Sequence, residues 1–122
     1  MSTPLPSAIV NKLGHTVGSE NVITDPDRLV VYESDGLSAY RVPPRAVVLP
    51  KTTREVAEVV AVLHGEGIDV IPRGSGTGLS GGALATSDGV VLGTARMNTI
   101  LNIDSENRLA RVQPGVINAR LT

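Results

Sequence analysis

The sequence contains no cysteine, no tryptophan and no phenylalanine. Without cysteine, this chain cannot form disulfides, zinc–thiolate sites or iron–sulfur clusters, and it cannot use a catalytic thiol. Tyr32 and Tyr40 are its only tyrosines. Two isolated rings do not provide the stacking surface by which proteins bind single-stranded nucleic acid. The core must therefore be built from aliphatic side chains.

An excess of charge of one sign is also absent, since the formal net charge is −1 at pH 7. Binding nucleic acid or an anionic membrane by bulk electrostatics needs a basic face, so we predict no nucleic-acid partner. No stretch approaches the roughly 20 apolar residues that span a bilayer, and residues 1–13 lack a basic leader followed by an apolar run. We expect a cytoplasmic protein without a transmembrane segment, or one held at the inner membrane through a partner.

The 122 residues suffice for one domain or for part of a larger one. We divide them into residues 1–40, a helical and extended lead-in, and residues 41–122, the first part of an incomplete domain. In the lead-in, Ser7–Leu13 predicts a short helix with Ser7 as its N-cap and Gly14 as its stop.

A βαβ unit is predicted next. Ala46–Leu49 is a continuous apolar run that ends at a proline, which is typical of a strand buried on both faces. Thr52 and Glu55 fit a capping box at the start of a helix. The apolar face of that helix follows from residues at helical spacing: Val56, Val59, Val60 and Leu63. Ile68–Pro72 is a second strand, which we expect to run parallel to the first after a right-handed crossover.

Three further elements complete the prediction. Gly89–Gly93 indicates a third strand, and Ile100–Asp104 with Leu109–Gln113 indicates an antiparallel hairpin. Val116–Leu121 has the pattern of a helix that is still running at the last residue, so we expect the domain to continue beyond this chain. The predicted fold class is α+β: a short parallel βαβ sheet with flanking helices, followed by the start of an antiparallel subdomain.

The densest glycine region lies between the second and third predicted strands, at residues 72–82 (PRGSGTGLSGG). Glycine at alternate positions removes side chains and permits positive φ angles. Successive backbone N–H groups can then converge on one anion. Ser75, Thr77 and Ser80 add hydroxyl donors. A diphosphate is the ligand that this pattern predicts.

Three other interpretations of the loop compete with this one. A P-loop needs Gly-Lys-Ser/Thr at its end, and no lysine follows Lys51. The Rossmann fingerprint GxGxxG is present at Gly76, Gly78 and Gly81, but it requires a helix that begins inside the motif. Only residues 83–87 separate the loop from the next turn, which leaves no room for such a helix. A flexible surface loop does not account for the arginine and hydroxyl groups that follow a buried strand directly.

The loop resembles the pyrophosphate loop of the flavoenzymes related to vanillyl-alcohol oxidase and p-cresol methylhydroxylase, the PCMH-type FAD-binding family. The resemblance lies in Pro72–Thr77 followed by Ser80-Gly81-Gly82. Further segments are similar in order and spacing: residues 44–50 with Glu55-Val56, Met97-Asn98 with Ile100, Ile103 and Asp104, and residues 112–116. Tyr32-Glu33-Ser34-Asp35 resembles the lead-in of the 2-hydroxy-acid branch, which includes the glycolate oxidase flavin subunit and D-lactate dehydrogenases.

This resemblance implies a truncated PCMH-type FAD-binding fold with FAD as its cofactor. In that family the catalytic histidine, the metal ligands and the substrate arginine lie in the later part of a much longer chain. We therefore assign no catalytic and no metal-binding residue here, and we expect the 122-residue chain alone to be inactive. Some members attach the flavin covalently through a histidine in the glycine loop. The corresponding place here is Thr77, so we expect non-covalent FAD.

The cofactor site implied by this resemblance combines the glycine loop with the segment that returns to the flavin. Its residues are Pro72, Arg73, Gly74, Ser75, Gly76, Thr77, Gly78, Ser80, Gly81, Gly82, Pro114, Gly115 and Val116. Arg73 has two roles open to it. It can balance the charge of the diphosphate, or it can point away and pair with a carboxylate while backbone N–H groups bind the ligand.

The resemblance implies that the full-length protein is an FAD-dependent oxidoreductase. Its substrate would be a small 2-hydroxy acid of the glycolate or D-lactate type, oxidised by hydride transfer to FAD. A partner subunit or a homo-oligomer is compatible with this function. Two alternatives stay open, namely a nucleotide-binding module without redox activity and a Rossmann-type NAD-dependent dehydrogenase.

Overall fold

A computed structural model describes residues 4–32, 43–74 and 88–120. The helices are α1 (Ser7–Val17), α2 (Pro26–Leu29) and α3 (Thr53–Gly65), and the strands are β1 (Val22–Ile23), β2 (Ala46–Val48), β3 (Val70–Arg73), β4 (Val90–Gly93), β5 (Ile100–Asp104) and β6 (Leu109–Val112). Short 3₁₀ turns lie at Ser19–Asn21, Val30–Tyr32 and Asn118–Arg120. The predicted α+β class, with a partly parallel sheet and an antiparallel hairpin, is confirmed.

The main sheet has the strand order β1-β2-β4-β3. Both β2 and β3 pair with β4 in parallel, and β1 adds an antiparallel edge. The predicted βαβ strands are therefore parallel, but β4 lies between them. All four residues of β4 are buried, as expected for a central strand of a sheet that is covered on both faces. Val90 shows the register, since it is the Cα partner of both Ala46 and Val70.

Side chains that alternate along the strands build a core on each face of this sheet. On one face, helices α1 and α3 pack together over the sheet, and the buried residues there include Leu13, Val48, Val59, Leu63 and Val90. On the other face lie Ile23, Leu29, Val47, Ile71 and Val91. Helix α1 of the lead-in thus shares one continuous core with the sheet that follows it.

Helix α1 is longer than predicted. Ser7 is its first helical residue rather than its N-cap, and the helix passes through Gly14. It ends at Val17, where Gly18 takes a φ of 92° that only glycine adopts readily. The physical reason is packing: Ile9, Leu13 and Val17 are buried at helical spacing and hold the extra turn in place.

Helix α3 begins with Thr52 as its N-cap, as predicted, but the Glu55 carboxylate reaches back to Lys51 and not to the Thr52 amide. The Glu55 amide donates to the Thr52 hydroxyl oxygen at 3.1 Å, and the Glu55 carboxylate accepts from the Lys51 amide at 3.4 Å. Val59 and Leu63 are buried, as the spacing predicts. The prediction that Val60 belongs to the same buried face is wrong, because Val60 is 40% exposed.

The predicted hairpin is present as β5 and β6, joined by residues 105–108. Leu101, Ile103 and Leu109 on these strands are exposed. The helix predicted to begin at Val116 is wrong in type, since residues 116–120 contain only the single 3₁₀ turn at Asn118–Arg120. The preceding turn at residues 114–115 directs this segment back across the sheet edge, where it bonds to the β4–β5 connection.

Candidate functional site

The carboxyl ends of β3 and β4 meet at one edge of the sheet. Arg73 and Gly93 are Cα partners there, and the Arg73 carbonyl oxygen accepts from the Thr94 amide at 3.0 Å. Gly74, the first residue after β3, begins the glycine-rich stretch at this edge. Ligands of open α/β sheets bind at the carboxyl ends of parallel strands. The predicted loop therefore begins at the carboxyl ends of the parallel strands, which is where open α/β sheets bind nucleotides.

A tight turn at Thr94–Met97 follows β4. The Met97 amide donates to the Thr94 carbonyl oxygen at 2.9 Å, which closes the turn. The Met97 side chain is buried and fixes one end of it. The turn presents two backbone oxygens, those of Thr94 and Met97, to the segment that returns after β6.

That returning segment is locked onto the turn. The Gly115 amide donates to the Met97 carbonyl oxygen at 2.7 Å, and the Val116 amide donates to the Gln113 carbonyl oxygen at 3.2 Å. A Cβ atom at position 115 would clash with the Thr94 carbonyl oxygen. Glycine is required there because the two backbones approach each other closely. The backbone conformation is not the reason, since Gly115 does not have a positive φ.

A cavity of about 590 Å³ lies between the two segments. Its lining consists of Gly74, Thr94, Ala95, Pro114, Gly115, Val116 and Ile117. The structure thus brings Gly74, at the start of the predicted loop, together with the predicted returning residues Pro114, Gly115 and Val116. Four further predicted positions of the glycine loop, Ser75, Gly76, Thr77 and Gly78, lie outside the described residues, as do Ser80, Gly81 and Gly82.

Arg73 does not line this cavity. Its side chain is only 8% exposed, on the same sheet face as Ile71, and its Nη2 atom donates to the Val31 carbonyl oxygen at 3.3 Å. The guanidinium thus reaches the lead-in, where its partner is a backbone carbonyl oxygen. Pro72 lies on the opposite side of the strand and is exposed.

Sequence reasoning missed three residues of the lining: Thr94, Ala95 and Ile117. Thr94 carried a usable signal, since it is the first polar residue after a buried strand whose carboxyl end faces the site. Ala95 and Ile117 belong to no motif. Their small or aliphatic side chains join the site through tertiary packing alone.

Other features of the described residues do not compete for the function. A larger cavity of about 840 Å³ lies near α1 and α2, between residues such as Val10, Leu29 and Arg45, and contains none of the predicted site residues. Across residues 4–32, 43–74 and 88–120, no three acidic or histidine side chains converge to hold a metal ion. Within the same ranges, no helix has the length and apolar character needed to cross a membrane.

Comparison with known proteins identifies the family of this chain. Residues 44–122 match a protein-family model described as an FAD binding domain. The chain belongs to the FAD binding domain family. The matched range of the FAD binding domain includes the βαβ unit, the glycine loop and the returning segment.

The chain with this FAD binding domain is similar to two curated relatives. It is 49% identical over 108 residues to the glycolate oxidase subunit GlcD of Escherichia coli strain K12, covering 88% of this chain and 21% of the relative. It is 34% identical over 114 residues to the D-2-hydroxyglutarate dehydrogenase of Stutzerimonas stutzeri, covering 93% of this chain and 25% of the relative. The chain therefore spans about a fifth to a quarter of the length of these relatives.

Among solved structures, p-cresol methylhydroxylase with bound substrate superposes with a TM-score of 0.83 at 28% identity, covering 94% of this chain and 23% of that one. The expected PCMH-type fold is confirmed by this likeness. The lining of the cavity suits the dinucleotide, since Gly74, Ala95 and Gly115 have little or no side chain and allow backbone to approach an extended ligand closely. A Cβ atom added to Gly74 would meet no atom of the described residues within 4 Å.

Proposed function

We propose that this chain is the FAD-binding part of a flavin-dependent oxidoreductase, and that the whole protein oxidises a small 2-hydroxy acid of the glycolate or D-lactate type. The observation that carries the proposal is the cavity at the carboxyl edge of the sheet, where Gly74 faces Pro114–Val116. The names of the relatives support the substrate class, since they are a glycolate oxidase subunit and a D-2-hydroxyglutarate dehydrogenase.

The chain's own contribution is to bind and orient the cofactor. In this proposal, residues 75–82 surround the diphosphate with backbone N–H groups, and Gly74 leads the chain from β3 into that loop. On the opposite wall, Pro114 has no N–H, and the amides of Gly115 and Val116 already bond to carbonyl oxygens. That wall therefore contributes surface and shape, and the N–H donors come from the loop. FAD, once bound, supplies the electron-accepting chemistry.

We propose no catalytic residue within residues 1–122. His15 and His64 are exposed in the last turns of α1 and α3, away from the cavity lining. Groups that bind the hydroxy acid or accept its proton would belong to the remainder of the full-length protein. With Thr77 at the loop position that a histidine occupies in covalent flavoproteins, we propose that FAD is held without a covalent bond.

Two further statements belong to the same proposal. A partner subunit is supported by the name of the Escherichia coli relative, which is a subunit of its oxidase. We also propose a cytoplasmic location for the full-length protein. The alternative of a non-redox nucleotide module receives no support from these relatives, which are named as an oxidase subunit and a dehydrogenase.

The test uses the full-length protein purified without added flavin. We expect a visible flavin absorbance band and about one FAD per chain. In Gly76→Val, a branched side chain enters the space proposed for the diphosphate, so the band should be lost. Gly65→Val is the matched control, because Gly65 ends α3 and a Cβ atom there meets nothing within 4 Å. It should retain full flavin content.

Two results would contradict the proposal. Normal flavin content in Gly76→Val would exclude the loop as the diphosphate site. Flavin that stays with the acid-precipitated wild-type protein, instead of passing into the supernatant, would exclude non-covalent binding.

A further inference from the structure

Arg96 occupies the third position of the Thr94–Met97 turn but does not line the cavity. Its half-buried side chain extends across the sheet edge in the direction of the lead-in. The Nη1 atom donates to the Leu49 carbonyl oxygen at 2.7 Å and to the Val17 carbonyl oxygen at 3.4 Å. One guanidinium group thereby connects three segments that are far apart in sequence.

One of the two acceptors, the Val17 carbonyl oxygen, is well suited to a cation. Val17 is the last residue of α1, and carbonyl groups in a last helical turn lack intrahelical partners and carry partial negative charge. Asn21 reinforces the junction, since its Nδ2 atom also donates to the Val17 carbonyl oxygen, at 2.9 Å. The Asn21 carbonyl oxygen in turn accepts from the Leu49 amide at 2.9 Å. Arg96 thus joins a junction of backbone groups that is already ordered.

The turn held by Arg96 is the one that positions Gly115. Met97 supplies the carbonyl oxygen that accepts the Gly115 amide, and Thr94 supplies the oxygen against which Gly115 packs. Pro114 and Val116, on either side of Gly115, form one wall of the cavity. A shift of the turn would therefore shift that wall relative to Gly74 on the other side.

We propose that Arg96 is a positioning residue for the flavin site, acting through the Thr94–Met97 turn on Pro114–Val116. This inference rests on the proposed function. It also makes helix α1, which lies before the residues matched by the family model, part of the support of the site. Arginine suits this role because several N–H donors lie in one rigid plane that is always charged, whereas lysine offers a single ammonium group.

The experiment compares three variants of the full-length holoprotein: Arg96→Met, Arg96→Lys and Val59→Ala. Val59 is fully buried on α3, so its truncation lowers stability at a distance from the turn. For each protein we would measure the FAD dissociation constant of the apoprotein, the visible circular dichroism of the bound flavin and the melting temperature.

Loss of charge-assisted hydrogen bonds in Arg96→Met should raise the FAD dissociation constant about tenfold or more and alter the flavin dichroism. Arg96→Lys should recover part of the affinity, because one donor still reaches the carbonyl oxygens. Val59→Ala should melt at lower temperature with wild-type affinity and spectrum. This separation distinguishes positioning from a general loss of stability.

An unchanged dissociation constant and spectrum in Arg96→Met would overturn this inference while the proposed function stands. Absence of flavin from the wild-type protein would overturn the proposed function itself. If Arg96→Met does not fold, Arg96→Lys decides: a raised dissociation constant supports the positioning role, and wild-type affinity overturns it.

Discussion

The carbonyl oxygen of Thr94 lies so close to Gly115 that no side chain fits between the two residues. The two residues belong to segments on either side of the β5–β6 hairpin, and the Gly115 amide is bonded to Met97 in the same turn. The absence of one methyl group thus allows the chain to return to the sheet edge. The contact determines where one wall of the cavity that we assign to FAD lies.

Gly115→Ala tests this contact. A methyl group placed against backbone cannot be relieved by a rotamer change, so the turn and the returning segment must separate. We expect a loss of about 3 kcal/mol in the free energy of unfolding, at the upper end of overpacking effects. Denaturant unfolding of the full-length protein measures it, and flavin content should fall in parallel.

Gly65→Ala provides the comparison, since a Cβ atom at Gly65 meets nothing within 4 Å and the site is the last residue of α3. Here alanine should be neutral or stabilising by about 0.5–1 kcal/mol, through its better helix propensity. Equal stability losses in the two variants would refute the contact as the cause.

Gly74→Ala separates binding from folding. Within the described part of the chain, no atom lies within 4 Å of the added Cβ atom, and Gly74 does not have a positive φ, so the melting temperature of the apoprotein should stay unchanged. The methyl group instead enters the cavity that we assign to FAD. We expect the FAD dissociation constant to rise about tenfold, equivalent to about 1.4 kcal/mol. Isothermal titration of the apoprotein measures the dissociation constant, and a thermal unfolding scan measures the melting temperature. Wild-type affinity would remove Gly74 from the site.

Local signals predicted most of the elements because each depends on neighbouring residues. The apolar run at Ala46–Leu49, the cap at Thr52 and the hairpin at residues 100–112 all have counterparts in the structure. Strand order could not be predicted in this way. Nothing local to Val90–Gly93 says that it inserts between β2 and β3, since that choice depends on how each sheet face is covered.

The site shows the same division between local and tertiary information. Gly74 and Pro114–Val116 lie in recognisable motifs, and the structure brings them together in one cavity. Ala95 joins the lining of the cavity without belonging to a motif, and Arg96 bonds to the carbonyl oxygen of Leu49, which is far away in sequence. The direction of Arg73 also depends on the lead-in, because its guanidinium bonds to Val31. No pattern along the chain encodes such contacts.

Thr52→Ala removes the N-cap of α3. The hydroxyl oxygen of Thr52 accepts from the Glu55 amide, and alanine cannot replace this bond. We expect unfolding to require about 1 kcal/mol less free energy, as for other lost caps. Thr53→Ala, one residue later at the first helical position, is the control and should be close to neutral. A similar loss in both variants would show that the cap bond contributes nothing specific.

Asp104, at the end of β5, makes the free energy of unfolding depend on pH in the acidic range. The side chain and the backbone amide of Asn107 both donate to its carboxylate, and these bonds lower the pKa of Asp104 below its ordinary value. Because the pKa of Asp104 is lower in the folded state than in the unfolded state, its carboxylate contributes fully to the free energy of unfolding at pH values above the unfolded-state pKa. This contribution is lost as the pH falls through the lower, folded pKa.

Asn107→Ala should therefore raise the pKa of Asp104 and reduce the loss of hairpin stability in acid. Side-chain NMR titration of the carboxyl carbon measures the pKa directly. Asn11→Ala, which removes an exposed asparagine of α1, should leave the titration of Asp104 unchanged. If the Asp104 pKa is the same in Asn107→Ala as in the wild type, the assignment of its cause is incorrect.

The central position of β4 also determines the order in which the protein can assemble on the ribosome. Strands β2 and β3 are translated first, yet each pairs with β4 and not with the other. Until residue 93 has emerged, β2 and β3 each have one edge without a hydrogen-bonding partner, namely the edge that later pairs with β4. Such edges are where growing chains associate wrongly, so protection by a chaperone matters most during synthesis of the residues between β3 and β4.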